Sequence, residues 1–458
     1  MDSRDAIDFG REPVGQLFKK MFLPTLIAMV SMVVLNITDG AFIGHGVGSD
    51  ALAAVNIISP LFMVSGGIGM MFGIGGSVVA SIHLSHGKVK AANINITQSL
   101  IGAAFISLLL SVVLLTHLRE TCLLFGASDA LVPLASSYMV WIAALMPLIV
   151  ISGVGVFIMR LDGSPKLAMC FEVGSVILNV IGDWLLIFPM KMGIAGAAMA
   201  TSISFALSGV ATAVYLLFFS ETLHIYKLKL SVKSFMLTLR NLIYQIRLGG
   251  SAFLGEVAIS FVIIVGNCQF MRYLGEDGVA AYSVGCYLLP IAFMFGNAIV
   301  QSAQPIISFA YGAGDRKRIF QAMRVALLCA VLTGMLGYAF IALGDNWVST
   351  TFLPAGCPAW HLCRAGLPLF GISFLFVILN LVLIGYYQST ERALPATVFT
   401  FLRGLIFMLP AFLLIPEFYG IKGLWLAQAV SEMATLSCVS VVILWHRRSN
   451  LHRSFKSV

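Results

Sequence analysis

The chain has 458 residues, of which 59% are hydrophobic and only 10% charged, against about a quarter charged in an ordinary soluble protein. No water-soluble fold hides that much apolar surface, so the solvent of this chain is lipid. The net charge of +8 follows from membrane topology, as set out below, and calls for no nucleic acid.

Only helices or closed barrels cross lipid, because every backbone N–H and C=O must be satisfied internally. Uninterrupted apolar runs such as Phe105 to Leu115, Val140 to Ile158 and Leu369 to Ile384 lack the alternation of barrel strands, so the spans are helices. Met1 to Gln16 is too polar for the apolar part of a secretory signal, and the stretch after it is too long for one; it reads as a retained first span. Apolar segments between charged or Gly/Pro/Asn/Asp punctuation predict twelve helices, at about 17–43, 52–82, 95–117, 131–159, 167–189, 194–219, 246–271, 279–309, 319–343, 365–388, 394–416 and 421–445. Gly66-Gly67-Ile68-Gly69 and Gly73-Ile74-Gly75-Gly76 fall inside the second of these and favour close helix packing over a phosphate-binding loop. Pro24 is a candidate bend in the first.

Orientation follows from the basic residues, which concentrate in cytoplasmic loops. With both termini inside, most of the 28 Lys and Arg fall on the inner side. They form groups such as Arg4, Arg11, Lys19 and Lys20; Arg160 and Lys166; Lys227, Lys229, Lys233, Arg240 and Arg247; and, at the end, Arg447, Arg448, Arg453 and Lys456. The outer loops keep Arg119, Lys191, Arg272, Arg364 and Lys422, and Arg403 alone lies within a span.

The chain also repeats itself. A single offset of 227 residues sets Ala53-Ala54 against Ala280-Ala281, Ser81 against Ser308, Gly87 against Gly314 and Lys90 against Lys317. In the same register Pro189 meets Pro416, Gly193-Ile194 meets Gly420-Ile421, Gly196 meets Gly423 and Ser204 meets Ser431. Six is even, so the copies enter the membrane in the same direction, as parallel repeats. The expected fold is an all-α polytopic membrane protein with twelve transmembrane helices in two pseudo-symmetric six-helix bundles. Its parts are an N-lobe at 1–219, a cytoplasmic linker at 220–245 and a C-lobe with its tail at 246–458.

Asn36-Ile37-Thr38-Asp39-Gly40 in the first span, Leu178-Asn179-Val180-Ile181-Gly182-Asp183 in the fifth and Gly193-Ile194-Ala195-Gly196-Ala197-Ala198 opening the sixth, together with Gly249 to Glu256 and the six-plus-six layout, resemble the multidrug and toxic compound extrusion (MATE) family. That family lies within the multidrug, oligosaccharidyl-lipid and polysaccharide flippase superfamily. The resemblance implies export of cationic or amphipathic compounds in exchange for Na⁺ or H⁺. Its N-lobe cation site matches Asp39, Asn179, Asp183 and Thr201, and an acidic coupling position in span seven matches Glu256. Span ten has no acid where one subgroup of the family carries a functional Asp, which turns attention to the N-lobe site.

A physical reading of the spans reaches the same residues. An ionised Asp at a helix centre costs roughly 2.5 to 3.5 kcal/mol on insertion scales, so intramembrane acids mark cavities, partners or ion paths. The candidates are Asp39, Glu172, Asp183, Glu256 and Glu432. Asn179 and Asp183 are i and i+4, on one helix face, and Asp39 and Thr201 share their depth band. Two carboxylates, an amide and a hydroxyl suit Na⁺; two carboxylates close together can instead share a proton. The repeat counterparts of Asp39 and Asp183 are Gly266 and Pro410, so the acids are not a duplicated architectural feature. The plainer reading of Glu172 is a solvated helix-end acid. That of Arg403 is an ion pair with Glu256 or Glu432, beside a sharper one in which it binds an anionic group or gates.

No ATP-binding motif and no convergent nucleophile, base or metal cluster stands out, so neither an enzyme nor a cofactor is expected. The eight cysteines make no disulfide framework, and Cys357 and Cys363, in one loop, read as two thiols with a pairing open to them if that loop faces an oxidising compartment. A flippase for a lipid-linked precursor is the alternative, and it would call for a strongly cationic cavity. The partners expected are small organic cations or amphiphiles and membrane lipid, with no nucleic acid. The protein is expected to be a monomer in a bacterial inner membrane, with both termini cytoplasmic.

Overall fold

The computed structural model describes residues 7–229 and 231–455, with the side chains of Ser49 and 443–455 outside the description. Arg4 and Lys456, counted with the inner basic residues, also lie outside it, as do the side chains of Arg447, Arg448 and Arg453. Every regular element among the described residues is helical. In order they are α1 (Val14–Gly46), α2 (Ser49–Ser85), α3 (Val89–Thr116), a short α4 (Leu118–Leu124), α5 (Val132–Leu161), α6 (Pro165–Ile187) and α7 (Gly193–Val214), which ends in a π turn at Tyr215–Phe219. There follow α8 (Val232–Gly312), α9 (Arg316–Leu343), a short α10 (Asp345–Phe352), α11 (Pro358–Ser389), α12 (Ala393–Phe401), a π segment at Leu402–Ile406, and α13 (Met408–Phe455).

Among the described residues, 10 continuous helical segments are long and apolar enough to cross a membrane. Two of them are broken: α8 at Gly275 (φ 66°, ψ −154°) and α13 at Gly420 (φ 59°, ψ −138°). Only glycine enters that backbone region without steric cost. Counting each limb separately gives the twelve spans, so the sequence placed the spans while the helical backbone runs on through two of the expected loops.

The repeat is written into the backbone as well. Left-handed glycines recur in its register, with Gly48 (φ 119°) against Gly275 (66°), Gly87 (69°) against Gly314 (71°) and Gly193 (59°) against Gly420 (59°). The short helices α4 and α10 begin at counterpart positions too.

The chain divides into two compact units, one of residues 1–256, 301–322 and 388–393, the other of 257–300, 323–387 and 394–458. In the first, α2 runs against its neighbours at backbone distance. A Cβ on Gly69 would lie 3.5 Å from Cα of Gly153, and Gly75 and Gly249 face the backbones of Gln245 and Met71. Close approach of this kind is how helices associate in lipid, where no hydrophobic force draws them together. Polar ties reinforce it: Ser99 Oγ donates to the Phe72 carbonyl at 2.6 Å, Ser152 Oγ to Ser208 Oγ at 2.9 Å, and Gln304 Nε2 to Ser77 Oγ, its own counterpart in the repeat, at 2.6 Å.

The expected linker is extended at its start and helical from Val232. The Asp162 carboxylate accepts the backbone N–H groups of Thr222 (2.9 Å) and Leu223 (2.8 Å), and the Tyr215 hydroxyl donates to it at 2.6 Å. Asn93 and Thr97 of α3 accept from the backbones of His224 and Tyr226, so the segment after α7 is held by side chains at every second residue or closer.

The second unit is built around aromatics. Phe270 stacks on Tyr282 at 4.4 Å and meets Trp425 edge-on at 4.9 Å, with Phe370 and Phe412 closing the cluster. Such contacts add about 0.5–1.5 kcal/mol each beyond area burial.

Candidate functional site

Helices α1, α6 and α7 pack together in the first unit. Small residues permit this: Gly46 of α1 lies against Ile187 and Phe188, and a Cβ on Gly182 of α6 would come within 3.0 Å of the Ala200 Cβ of α7. That crossing carries Asp183 and Asn179, both 0% exposed, up to Thr201, itself 6% exposed. Asp39 enters from α1, and its carboxyl group lies within hydrogen-bonding reach of Asp183. The structure therefore brings the four residues singled out in spans one, five and six into one cluster.

Their bonding has an order. The Asn179 amide faces the backbone N–H of Thr201, a donor, so its oxygen belongs on that side. In this orientation the oxygen accepts from Thr201 N at 3.0 Å and from Thr201 Oγ1 at 2.9 Å, and the nitrogen donates to Asp183 Oδ2 at 3.1 Å. Asn179 thus holds Asp183 in place while Thr201 holds Asn179. One oxygen on each acid, Asp39 Oδ1 and Asp183 Oδ1, is buried with no protein partner. An orphaned buried carboxylate oxygen is costly, and two of them beside each other suit a proton or a small hard cation. Tyr138 of α5, 1% exposed, is within electrostatic reach of both acids. Sequence reasoning misses it, because a tyrosine in an apolar span reads as packing.

Glu256 lies in the first limb of α8, half-buried and outside this cluster. Arg403, in the π segment before α13, is 4% exposed and pairs with Glu432, 1% exposed. Nη2 reaches Oε1 at 2.7 Å and Nε reaches the two carboxylate oxygens at 3.2 and 3.3 Å. Asn380 Nδ2 donates to Glu432 Oε2 at 2.7 Å, Gln428 Nε2 to Oε1 at 3.3 Å, and the guanidinium sits 4.8 Å from the Phe293 ring. The partner left open in the sequence is Glu432. Sequence reasoning also passes over Asn380 and Gln428, although polar amides in apolar spans are themselves a signal.

Glu172 differs from the solvated acid expected. It pairs at 3.2 Å with Arg160, which the topology count treats as a loop base but which is 2% exposed in the last turn of α5 and also hydrogen-bonds Gln301. The cause is tertiary: residues 301–322 belong to the first unit, and Gln301 among them bonds the Arg160 guanidinium. Among the described residues, no group of three or more His, Cys, Asp or Glu is placed to hold a metal ion.

The sequence model of the MatE family matches residues 24–185 and again 252–413, the second match starting within one residue of the internal offset. Multidrug export protein MepA of Staphylococcus aureus (strain N315) is 23% identical over 455 residues, covering 97% of each chain. Among solved structures, the outward-facing conformation of a multidrug resistance MATE family transporter of the MOP superfamily aligns with a TM-score of 0.86 at 21% identity, over 96% of each chain. A MOP superfamily transporter from Pyrococcus furiosus, described as having a binding pocket of reverse polarity that suggests a different function, aligns with a TM-score of 0.86 at 20% identity, again over 96% of each. At these identities the structural likeness speaks for the fold.

Proposed function

The chain belongs to the MATE family of transporters, and on that premise we propose that it is a secondary antiporter exporting organic, mainly cationic or amphipathic compounds in exchange for a cation held by Asp39 and Asp183. The observation that carries this reading is the contrast among the acids within the spans. Glu172 and Glu432 each meet an arginine, whereas Asp39 and Asp183 meet each other and keep two orphaned oxygens. A pair of acids without a fixed counter-charge is where a mobile cation is accepted and released.

Between the two ions, the geometry favours H⁺. Two carboxyl groups in hydrogen-bonding contact hold one proton between them, while the Asn179 oxygen and the Thr201 hydroxyl are spent on each other. Na⁺ would draw on the same acids, with Thr201 released from Asn179. Glu256 is a second acid that a cationic substrate or the coupling ion can meet on its path.

Export is supported over lipid-precursor flipping by the arginines: Arg403 and Arg160 are neutralised by Glu432 and Glu172 and so are not free to receive phosphate. The transporter family argues against an enzyme. The protein is placed by this reading in a bacterial inner membrane as a monomer, with both termini cytoplasmic.

The test is uptake of a fluorescent organic cation into proteoliposomes under an imposed pH or Na⁺ gradient, for the wild type, Asp39→Asn and Asp183→Asn. The expected result is uptake driven by the pH gradient and reduced to background in both variants. Wild-type uptake by the variants would remove the pair from coupling, and Na⁺-only driving would replace the proton by sodium at the same site.

A further inference from the structure

We propose that the start of α8, residues 232–247, is an amphipathic foot that lies at the membrane surface and binds anionic phospholipid. The first limb of α8, from Val232 to the break at Gly275, is about 64 Å long at 1.5 Å per residue, roughly twice the ~30 Å of bilayer hydrocarbon. Its opening turns therefore extend beyond the span that begins after Arg247.

These turns present their faces in the reverse of the soluble arrangement. Val232, Phe235, Met236, Leu239 and Ile243, at i, i+3, i+4, i+7 and i+11, are 78%, 69%, 61%, 50% and 44% exposed. The opposite face, Thr238, Asn241 and Gln245, is docked on α3. Gln98 Nε2 donates to Thr238 Oγ1 at 2.9 Å, Asn241 Nδ2 to Gln98 Oε1 at 3.0 Å, and Gln245 Nε2 to the Asn95 carbonyl at 3.1 Å. Polar hydrogen bonds fix the helix to the protein and leave its greasy side outward.

Along one flank of that apolar face run Lys233, Arg240 and Arg247, at i, i+7 and i+14, all exposed. An apolar face edged by a basic stripe is how an interfacial helix sits at the boundary between headgroups and acyl chains. The occupant follows from two observations. The helix that carries this face runs on into a segment long and apolar enough to cross a membrane, and the charge of its edge is complementary to anionic headgroups.

The experiment uses the full chain carrying Phe235→Trp, reconstituted in mixed phosphatidylglycerol and phosphatidylcholine in which one lipid or the other bears brominated acyl chains. The emission that the introduced indole adds over the wild type is then measured. Quenching is expected, with brominated phosphatidylglycerol favoured by about fivefold or more, the factor that one basic side chain at a membrane surface supplies. Neutralising the stripe (Lys233→Gln, Arg240→Gln, Arg247→Gln) is expected to equalise the two lipids. An unquenched, water-exposed indole would overturn the proposal and leave the face to water or a protein partner. Equal quenching by both lipids in the unmodified stripe would overturn the anionic preference, and a preference that survives neutralisation would overturn its assignment to these three residues. The readout needs no transport, so it stands or falls separately from the antiporter reading.

Discussion

Arg403 and Glu432 show what a buried charge requires. Removing one partner of such a pair strands the other, at about 3–5 kcal/mol, whereas replacing both with apolar residues of similar volume is often neutral. Arg403→Met is therefore expected to lower the thermal midpoint in detergent sharply, and Arg403→Met with Glu432→Met to recover most of the loss. Equal destabilisation of the single and double variants would give these residues a role beyond mutual neutralisation. At the acid pair, Asn179 supports Asp183 without replacing it. Asn179→Ala should slow gradient-driven uptake while Asp183→Asn abolishes it, as measured by initial rates in proteoliposomes at equal protein density; loss as complete as that of Asp183→Asn would make Asn179 a direct ligand.

At the scale of helices, the spacing of small residues sets what can touch. Gly75 and Gly249 each face the backbone of the opposing helix, Gln245 and Met71 respectively, and a methyl group at either position pries α2 from α8. Overpacking of this kind costs about 1–3 kcal/mol, so Gly75→Ala and Gly249→Ala are expected to lower the unfolding temperature. Gly174→Ala, in α6 with nothing within 4 Å of the added carbon, is the control. It should be neutral or stabilising by up to ~1 kcal/mol through helix propensity, and a fall in its midpoint equal to that of Gly249→Ala would refute the packing account. Glycine clusters within a span announced close packing in the sequence, but not which members perform it: Gly69 meets Gly153, while Gly66 meets nothing within 4 Å. Spacing marks where an approach is possible, and only the neighbouring helix makes it.

For the molecule as a whole, the distribution of Lys and Arg predicts that both termini are cytoplasmic. A green fluorescent protein fused after Val458 should fluoresce in cells, and alkaline phosphatase at the same place should be inactive; the opposite pair of results would invert the topology. The sequence alone determined the solvent, the number and approximate position of the spans and the internal duplication, because each is carried by composition or by periodicity along one chain; the family came from the resemblance of a few short motifs. Asp39 and Asp183 stand out because acids in apolar spans are costly enough to be conspicuous one at a time, whereas Asn179 and Thr201 come with the family resemblance. Tertiary structure decided what each polar group bonds to. The orientation of the Asn179 amide, the choice of Glu432 by Arg403, the pairing of Arg160 with Glu172 and Gln301 and the nearness of Tyr138 to the acids all depend on which helix faces are brought together. A hydrogen bond is a matter of a few tenths of an ångström between atoms that lie, in this chain, from four to more than a hundred residues apart, and no local pattern fixes distance at that precision.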